Sequence, residues 1–305
     1  MQEIRSYLGW KVDFRSPPGE PALCAPDSMA WRIYKNPVAL AIGGVCAVLL
    51  EFADARIRSG VWDHSVFKDD PIGRSRRTGM AALVGVYGPR SAARQVIGGV
   101  NRMHARIEGT TPSGERYRAL DPELIDWVGA TAAYGFLVAY DRFVERLSDD
   151  EKRRFLCEGS EVGALYGIEN PIRSLDDFEA MMMKLVPRFE PHPINIEFLD
   201  IMRSGRAVPG VPRFLQRALA HASISILPPI VRERLELGPE YDLGRGAERS
   251  IRLMARAAER IPDHRGPAAK ACERLGLPRT FLWKSPERQR QILARHPALQ
   301  AGSPA

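Results

Sequence analysis

Two long uncharged apolar stretches, residues 38–50 and 128–140, constrain this chain more than any other feature. Each is shorter than the roughly 18 residues that a membrane-spanning helix needs. Each is also apolar nearly all round, so protein rather than lipid or water must cover every side. Residues with this pattern belong at the centre of a helical bundle, and the rest of the chain supplies helices to surround them.

The start signals of those helices are explicit. Asp27-Ser28 offers an N-cap for a short helix over 29–34, and Asn36-Pro37 caps the first apolar segment, with proline in the first helical position. That helix is expected to run to about residue 58. Gly43-Gly44 in its middle costs about 1–2 kcal/mol of helix propensity, a cost that close approach by another helix or a planar ligand would offset. Residues 60–71 read as a loop, 72–87 as a helix stopped by Gly88, 89–109 as a further helix and 110–120 as a polar loop or hairpin. Asp121-Pro122-Glu123 opens the second central helix, expected to reach about residue 146. Ser148-Asp149-Asp150-Glu151 is a capping box, and Ser174-Leu175-Asp176-Asp177 opens another helix. Further helices fit 194–203, 211–224, 228–236 and 244–261. The reading is all-α, a single large helical bundle. It divides into an N-terminal surface arm over 1–26, a helical domain over 27–262 and a basic extension over 263–305. The Pro- and Gly-rich stretch 205–212 is the best internal boundary if one exists.

Histidine is scarce, with six in the chain. His104 stands out because Ile97, Val100 and Ile107 share its expected helix face, which puts an imidazole on an apolar stripe. A buried imidazole needs partners for its nitrogens. A core histidine satisfied by a carbonyl meets that need, and so does a metal or haem ligand, since haem iron takes a single protein ligand. On the preceding helix, Arg74, Arg77 and Thr78 fall at i, i+3 and i+4 and so share a face. Several arginines at a helix N-terminus oppose the macrodipole unless an anion compensates, either a propionate or a phosphate. A solvated basic helix end is the plain alternative. His64 sits in an expected turn with Asp63 and Ser65. His192 and His221 have no clear place, and His264 and His296 read as surface positions.

Composition excludes several classes. The formal net charge is +7, which would suit a nucleic-acid binder, but only 7 of the 44 basic residues are lysine and much of the excess lies beyond residue 264. Nucleic acid is therefore not an expected partner. The four cysteines are far apart, which argues against a zinc site; Cys46 and Cys157 read as core thiols. No secretory signal opens the chain and no span is apparent, so the expected location is the cytoplasm, with peripheral membrane contact left open. The motifs of hydrolases, zinc peptidases and nucleotide-binding proteins are missing from the sequence.

The ordered segments Asn36-Pro37-Val-Ala-Leu-Ala-Ile-Gly-Gly44, Gly60-Val-Trp-Asp-His-Ser65, Asp70-Pro-Ile-Gly-Arg-Ser-Arg-Arg-Thr78, Tyr87-Gly-Pro89, Val100-Asn-Arg-Met-His104, Tyr117-Arg-Ala-Leu-Asp-Pro-Glu123 and Trp127-Val-Gly-Ala-Thr131 resemble the MpaB and rubber-oxygenase (latex clearing protein) family over roughly residues 27–260. The resemblance implies a helical bundle enclosing a b-type haem, with His104 as the iron ligand and Arg74 and Thr78 supporting haem binding. It places Arg77 where the rubber enzyme has a distal lysine. Arginine stays protonated and has no lone pair to offer iron, so Arg77 is expected to donate hydrogen bonds to a bound ligand or a propionate. Many relatives carry His-Pro where this chain has Asp54-Ala55, and the family's catalytic acid has no clear counterpart; Glu51 and Asp54 are the candidates. The implied activity is a haem b-dependent oxygenation of a small hydrophobic substrate by O2, with an unsaturated substrate as one option. A peroxidase-like haem enzyme and a non-catalytic haem or ligand-binding protein are the alternatives. The substrate, redox partner and oligomeric state are left open.

Overall fold

In a computed structural model, which describes residues 12–65, 70–204 and 210–296, the all-α expectation holds. Residues 1–11 of the expected arm, 66–69 of the expected loop, 205–209 of the candidate boundary and 297–305 of the extension lie outside the described residues.

The bundle is organised by Asn36, buried between α1 (Met29–Tyr34) and α2 (Pro37–Phe52). Its side-chain oxygen accepts from the N–H groups of Val38 and Ala39, which would otherwise be orphaned at the helix start. Its amide nitrogen donates to the Ala255 carbonyl at 3.0 Å and to the Glu259 carboxylate. One side chain thus caps the central helix and ties it to a helix far along the chain.

The order continues through α3 (Ala55–His64), α4 (Pro71–Tyr87) and α5 (Arg90–His104). A hairpin follows, with β1 (Glu108–Thr110) paired antiparallel to β2 (Arg116–Arg118), Gly109 opposite Tyr117. Then come α6 (Pro122–Phe143), α7 (Asp149–Glu158), α8 (Ser160–Tyr166), α9 (Leu175–Leu185), α10 (Pro193–Arg203), α11 (Arg213–Ser225) and α12 (Pro229–Arg234). The chain finishes with α13 (Arg245–Arg260), α14 (Pro267–Arg274) and α15 (Pro286–Leu293). The capping boxes at Ser148 and Ser174 both form, the latter with Asp177 as the reciprocal acid.

The apolar segments cross as α2 on α6. At the crossing, a Cβ on Gly43 would stand 2.7 Å from the Gly135 carbonyl carbon, closer than real side chains ever come. Gly43 is therefore glycine because a backbone occupies the place of its side chain. Gly44 is different: its nearest neighbour would be Phe136 Cε1 at 4.0 Å. The cost of Gly43 in helix propensity is offset by helix–helix contact, whereas that of Gly44 is not.

Several expected boundaries move. The helix expected over 37–58 breaks at Ala53-Asp54. There the chain around residue 190 pairs with the backbone: Glu190 N–H donates to the Ala53 carbonyl, and Asp54 bridges Phe189. Asp54 then caps a new helix through Arg56 N–H. Much of the expected loop 60–71 is consequently helical, in α3. Its Ser59 and Gly60 are poor helix formers, but Ile57 and Arg58 are buried and Gly60 lies against the Tyr117 ring. The helix expected to reach residue 109 ends at His104, because Ile107 N–H turns back to the His104 carbonyl and Glu108 enters β1. Ile107 is thus not on the His104 helix. α6 ends at Phe143 rather than near residue 146, and the Asp121 carboxylate accepts from Arg118 N–H instead of capping α6. Cys46 is a core thiol as expected, but Cys157 is exposed; Cys24 and Cys272 are the other buried ones.

The arm and the C-terminal region meet. Arg274, buried on α14, donates to the carbonyls of Phe14 and Glu20, and Gly19 N–H donates back to the Arg274 carbonyl. Phe14, Leu23 and Cys24 enter the same core as Leu275, Phe281 and Leu293.

Candidate functional site

The central helix α2 is surrounded, yet one of its faces is not fully packed. Gly44, Val48 and Glu51, at i, i+4 and i+7, all retain accessible surface, while Ile42, Cys46, Leu49 and Leu50 have none. Glu51 is half-buried, set deep among protein atoms but keeping some accessible surface. Across from it, the Thr131 hydroxyl of α6 lies 3.3 Å from Glu51 Oε1 and 2.9 Å from the Val128 carbonyl, so its single proton is shared between the two acceptors. One turn before Thr131, Val128 keeps 37% of its surface exposed, though it lies well inside α6.

Burial raises the Glu51 carboxyl from 4.5 to about 7; the Arg74 charge and the Thr131 hydroxyl pull it back only in part. Arg74 acts on a second group as well. His104, at the last position of α5, is held below 6.5, first by burial and then by the Arg74 charge. The fold therefore gathers an acid from α2, a cation from α4 and an imidazole from α5 around one electrostatic neighbourhood. At neutral pH the imidazole is neutral, the form that can ligate a metal.

The other residues singled out by sequence are placed differently. Thr78 is exposed and its hydroxyl donates to the Arg74 carbonyl one turn back. Arg77 reaches toward Asp70 at 3.5 Å. Asp70 itself caps α4 through Gly73 N–H at 2.8 Å. Part of the anion that the basic helix start requires is therefore internal. Asp54 is buried with both oxygens on Arg56, and Arg56 also reaches Glu123 at 2.7 Å. Asp54 thus has both oxygens engaged by Arg56, whereas Glu51 meets the Thr131 hydroxyl. His64 ends α3, and His192 caps α10 by accepting from Ile194 N–H. His221 is buried with Nδ1 on the Asp242 carbonyl. Thr131, which lies in a segment of recognised pattern, gains a site position that its residue type alone does not signal.

The donor chemistry decides what the site can hold. Among the described residues, no group of three or more His, Cys, Asp and Glu side chains comes together, so the arrangement is unlike an all-protein metal cage. A single half-buried imidazole with a guanidinium nearby is the donor set that a haem would need, because haem brings four nitrogen ligands of its own and carries anionic propionates. The glycine at 44 leaves room on its face of α2. A surface cleft of about 460 Å³ lies elsewhere, lined in part by Glu123, Asp126, Asn170 and Lys184. Asp126 there is occupied by Asn170 and the backbone of Glu169, and no candidate residue lines the cleft.

Fold and site together define a class: an all-α bundle with a half-buried acid on its central helix and a half-buried imidazole, both within reach of the charge of one arginine. The profile of the family described as ER-bound oxygenase mpaB/B'/Rubber oxygenase, catalytic domain, matches residues 31–260, and the chain belongs to that family. No curated protein and no solved structure gives a significant match. No helix among the described residues is long and apolar enough to cross a membrane.

The Glu51 environment makes a direct prediction. Its folded-state pKa lies above the unfolded value, so the folded chain binds more protons between about pH 4.5 and 7. Stability from this group is present below the unfolded pKa and is lost as pH rises through the folded one. The loss is on the order of 2–3 kcal/mol by pH 8. Glu51→Gln should therefore raise Tm at pH 8 and change it little at pH 4.5. A stabilisation equal at both pH values would refute the assignment.

Proposed function

We propose that the chain is a haem b-dependent oxygenase that uses O2 to oxidise a small hydrophobic, unsaturated substrate, with His104 as the iron ligand. The observation that carries this reading is the convergence of His104, Arg74 and Glu51, from three helices, in a member of an oxygenase family. When bound, haem supplies a redox-active iron able to activate O2.

The chain's own residues have separable tasks in this reading. His104 keeps a lone pair available because burial and Arg74 both disfavour its protonation. Arg74 offers the positive charge that propionates need. Thr78 steadies the Arg74 turn through its carbonyl. Arg77, held to Asp70 only at 3.5 Å, can exchange that partner for a propionate or a bound ligand. Glu51, with its carboxyl near 7, can hold a proton or give it up at neutral pH, which suits an acid–base role. The aliphatic stripe beside it favours an apolar substrate and restricts water. Asp54 takes no part, because Arg56 occupies it.

Absorption spectroscopy after haem loading, followed by an oxygen electrode with a panel of lipophilic alkenes, tests the proposal. A Soret band and alkene-dependent O2 uptake are expected. A chain that shows no Soret band after loading is not a haem protein of this kind. A band with peroxide turnover and no O2 uptake would replace the oxygenase with a peroxidase-like enzyme.

A further inference from the structure

The outer face of α13 is built unlike the rest of the surface. At 3.6 residues per turn, Arg245, Arg249, Arg256 and Arg260 fall within about 60° of one another, and all four are exposed, Arg256 with its Nε donating to the Val144 carbonyl at 3.3 Å. The acids of the same helix are turned away from this stripe. Glu248 pairs with Arg142 and Arg252, and Glu259 is drawn inward to Lys35, Asn36 and Tyr140. The helix therefore neutralises its acids within the protein, Glu248 in part by Arg252, and leaves the arginine stripe without a paired carboxylate among the described residues.

Exposed bulky aliphatic side chains lie beside this cationic face and at its C-terminal end. Leu253, beside the arginine stripe, is 72% exposed, and Ile261, which caps the helix, is 66% exposed. They are not left over from a loose core. Ile251 and Ala255 bury the opposite face, and the Ala255 carbonyl accepts from Asn36, so the helix is anchored and its orientation fixed. The exposed set is long in cations, carries two large aliphatics, and lies flat along a surface helix.

We propose that this face of α13 docks on anionic phospholipid membranes, with Leu253 and Ile261 entering the headgroup–acyl boundary and Arg245, Arg249, Arg256 and Arg260 meeting lipid phosphates. Charge complementarity selects an anionic partner. The aliphatic residues select a lipid surface over a nucleic acid. A duplex offers phosphates and base edges, and a single strand asks for aromatic stacking platforms; neither gives an exposed leucine and isoleucine an apolar place to go. Arginine's long stem lets its charge stay at the phosphate level while the neighbouring aliphatics sink deeper. Docking of this kind would also bring an enzyme to a source of apolar substrates, but the inference does not depend on the haem reading.

Co-sedimentation of the full chain with vesicles tests it. Binding is expected to phosphatidylcholine–phosphatidylserine (7:3) vesicles, weakening as salt rises, with little binding to phosphatidylcholine alone. Leu253→Ser with Ile261→Ser should lower the affinity at least about tenfold. Arg249→Ser with Arg260→Ser should lower it by about fivefold for each arginine lost. Arg153→Ser with Arg234→Ser, which removes the same charge from other exposed positions, should leave binding within about twofold of wild type. Circular dichroism and Tm of each variant separate lost docking from lost folding. No binding to the anionic vesicles at low salt would overturn the proposal. Equal losses in the α13 and control arginine variants would overturn it too, as would duplex DNA or RNA that binds tighter than the vesicles and is unaffected by the Leu253 and Ile261 changes.

Discussion

Gly43→Val should abolish the folded state or lower its stability by about 3 kcal/mol or more, whereas Gly44→Ala, one residue away, should stabilise it by up to about 1 kcal/mol. Both glycines pay the same helix-propensity cost, so propensity alone would make both substitutions favourable. The difference lies in what each missing side chain would meet. A Cβ on Gly43 meets the Gly135 backbone at 2.7 Å, and backbone cannot rotate away as a side chain can. The largest interhelical contact of the bundle would have to separate, and Ile42, Cys46, Leu49 and Leu50 beside it would lose close packing. At Gly44 the nearest atom is a Phe136 ring carbon at 4.0 Å, ordinary contact distance. Urea unfolding followed by circular dichroism measures both variants. If Gly43→Val unfolds at the wild-type midpoint, the α2–α6 crossing is not the close approach described.

That pair of glycines also marks how far the sequence speaks. The apolar segments 38–50 and 128–140 announce central helices because nothing else could bury them, and Asn36-Pro37 and Ser148–Glu151 announce helix starts because orphan N–H groups need particular acceptors. Both signals are local. What the sequence does not carry is which of two adjacent glycines faces a partner backbone, since that depends on the rotation of α6 against α2. The break at Ala53-Asp54 escapes for the same reason. It is made by backbone pairing with Phe189 and Glu190, some 135 residues away. α3 is helical despite Ser59 and Gly60 because Arg58 and Ile57 gain tertiary contacts that propensity does not contain; Arg58 donates to the Phe52 carbonyl and pairs with Glu190.

The candidate site was legible in the same uneven way. His104 stands out in the sequence by its apolar helix face and Arg74 by sharing a face with Arg77 and Thr78, whereas Glu51 is one of two candidate acids that nothing local separates. Their electrostatic coupling could not be read from the chain, because it requires the fold to bring the Arg74 charge within reach of both Glu51 and His104. Conversely, Asp54 resembles a catalytic acid in sequence, since nothing there says that Arg56 will hold both its oxygens. Cys157 resembles a core thiol because its helix is amphipathic and its exact angle decides burial.

His104→Ala should remove the Soret band of the haem-loaded chain, and His64→Ala should keep it. The ligand in this reading is a neutral imidazole, and alanine supplies no donor in its place. Two consequences distinguish loss of a ligand from loss of the fold. Haem binds the native state and should raise the Tm of wild type, by about 2.7 kcal/mol of stability when free haem is a hundredfold above its Kd. His104→Ala should melt like the apo chain whether or not haem is present. Added imidazole should restore part of the band by filling the space left by the side chain. The pH dependence follows from the direction of the shift. The folded-state pKa of His104 in the ligand-free chain is below 6.5, so the neutral form persists under mildly acidic conditions, and haem affinity should start to fall only once pH drops below that lowered value. Arg74→Ala removes one of the two causes of the lowering. In the apo chain, histidine titration by NMR should then show His104 moving upward toward 6.5, with haem release beginning at a correspondingly higher pH. A His104→Ala chain that keeps its Soret band and its haem-dependent Tm shift would leave the haem ligand elsewhere. A His104 resonance indifferent to Arg74→Ala would mean that the charge of α4 does not reach the end of α5, and the three-helix site would lose its electrostatic basis.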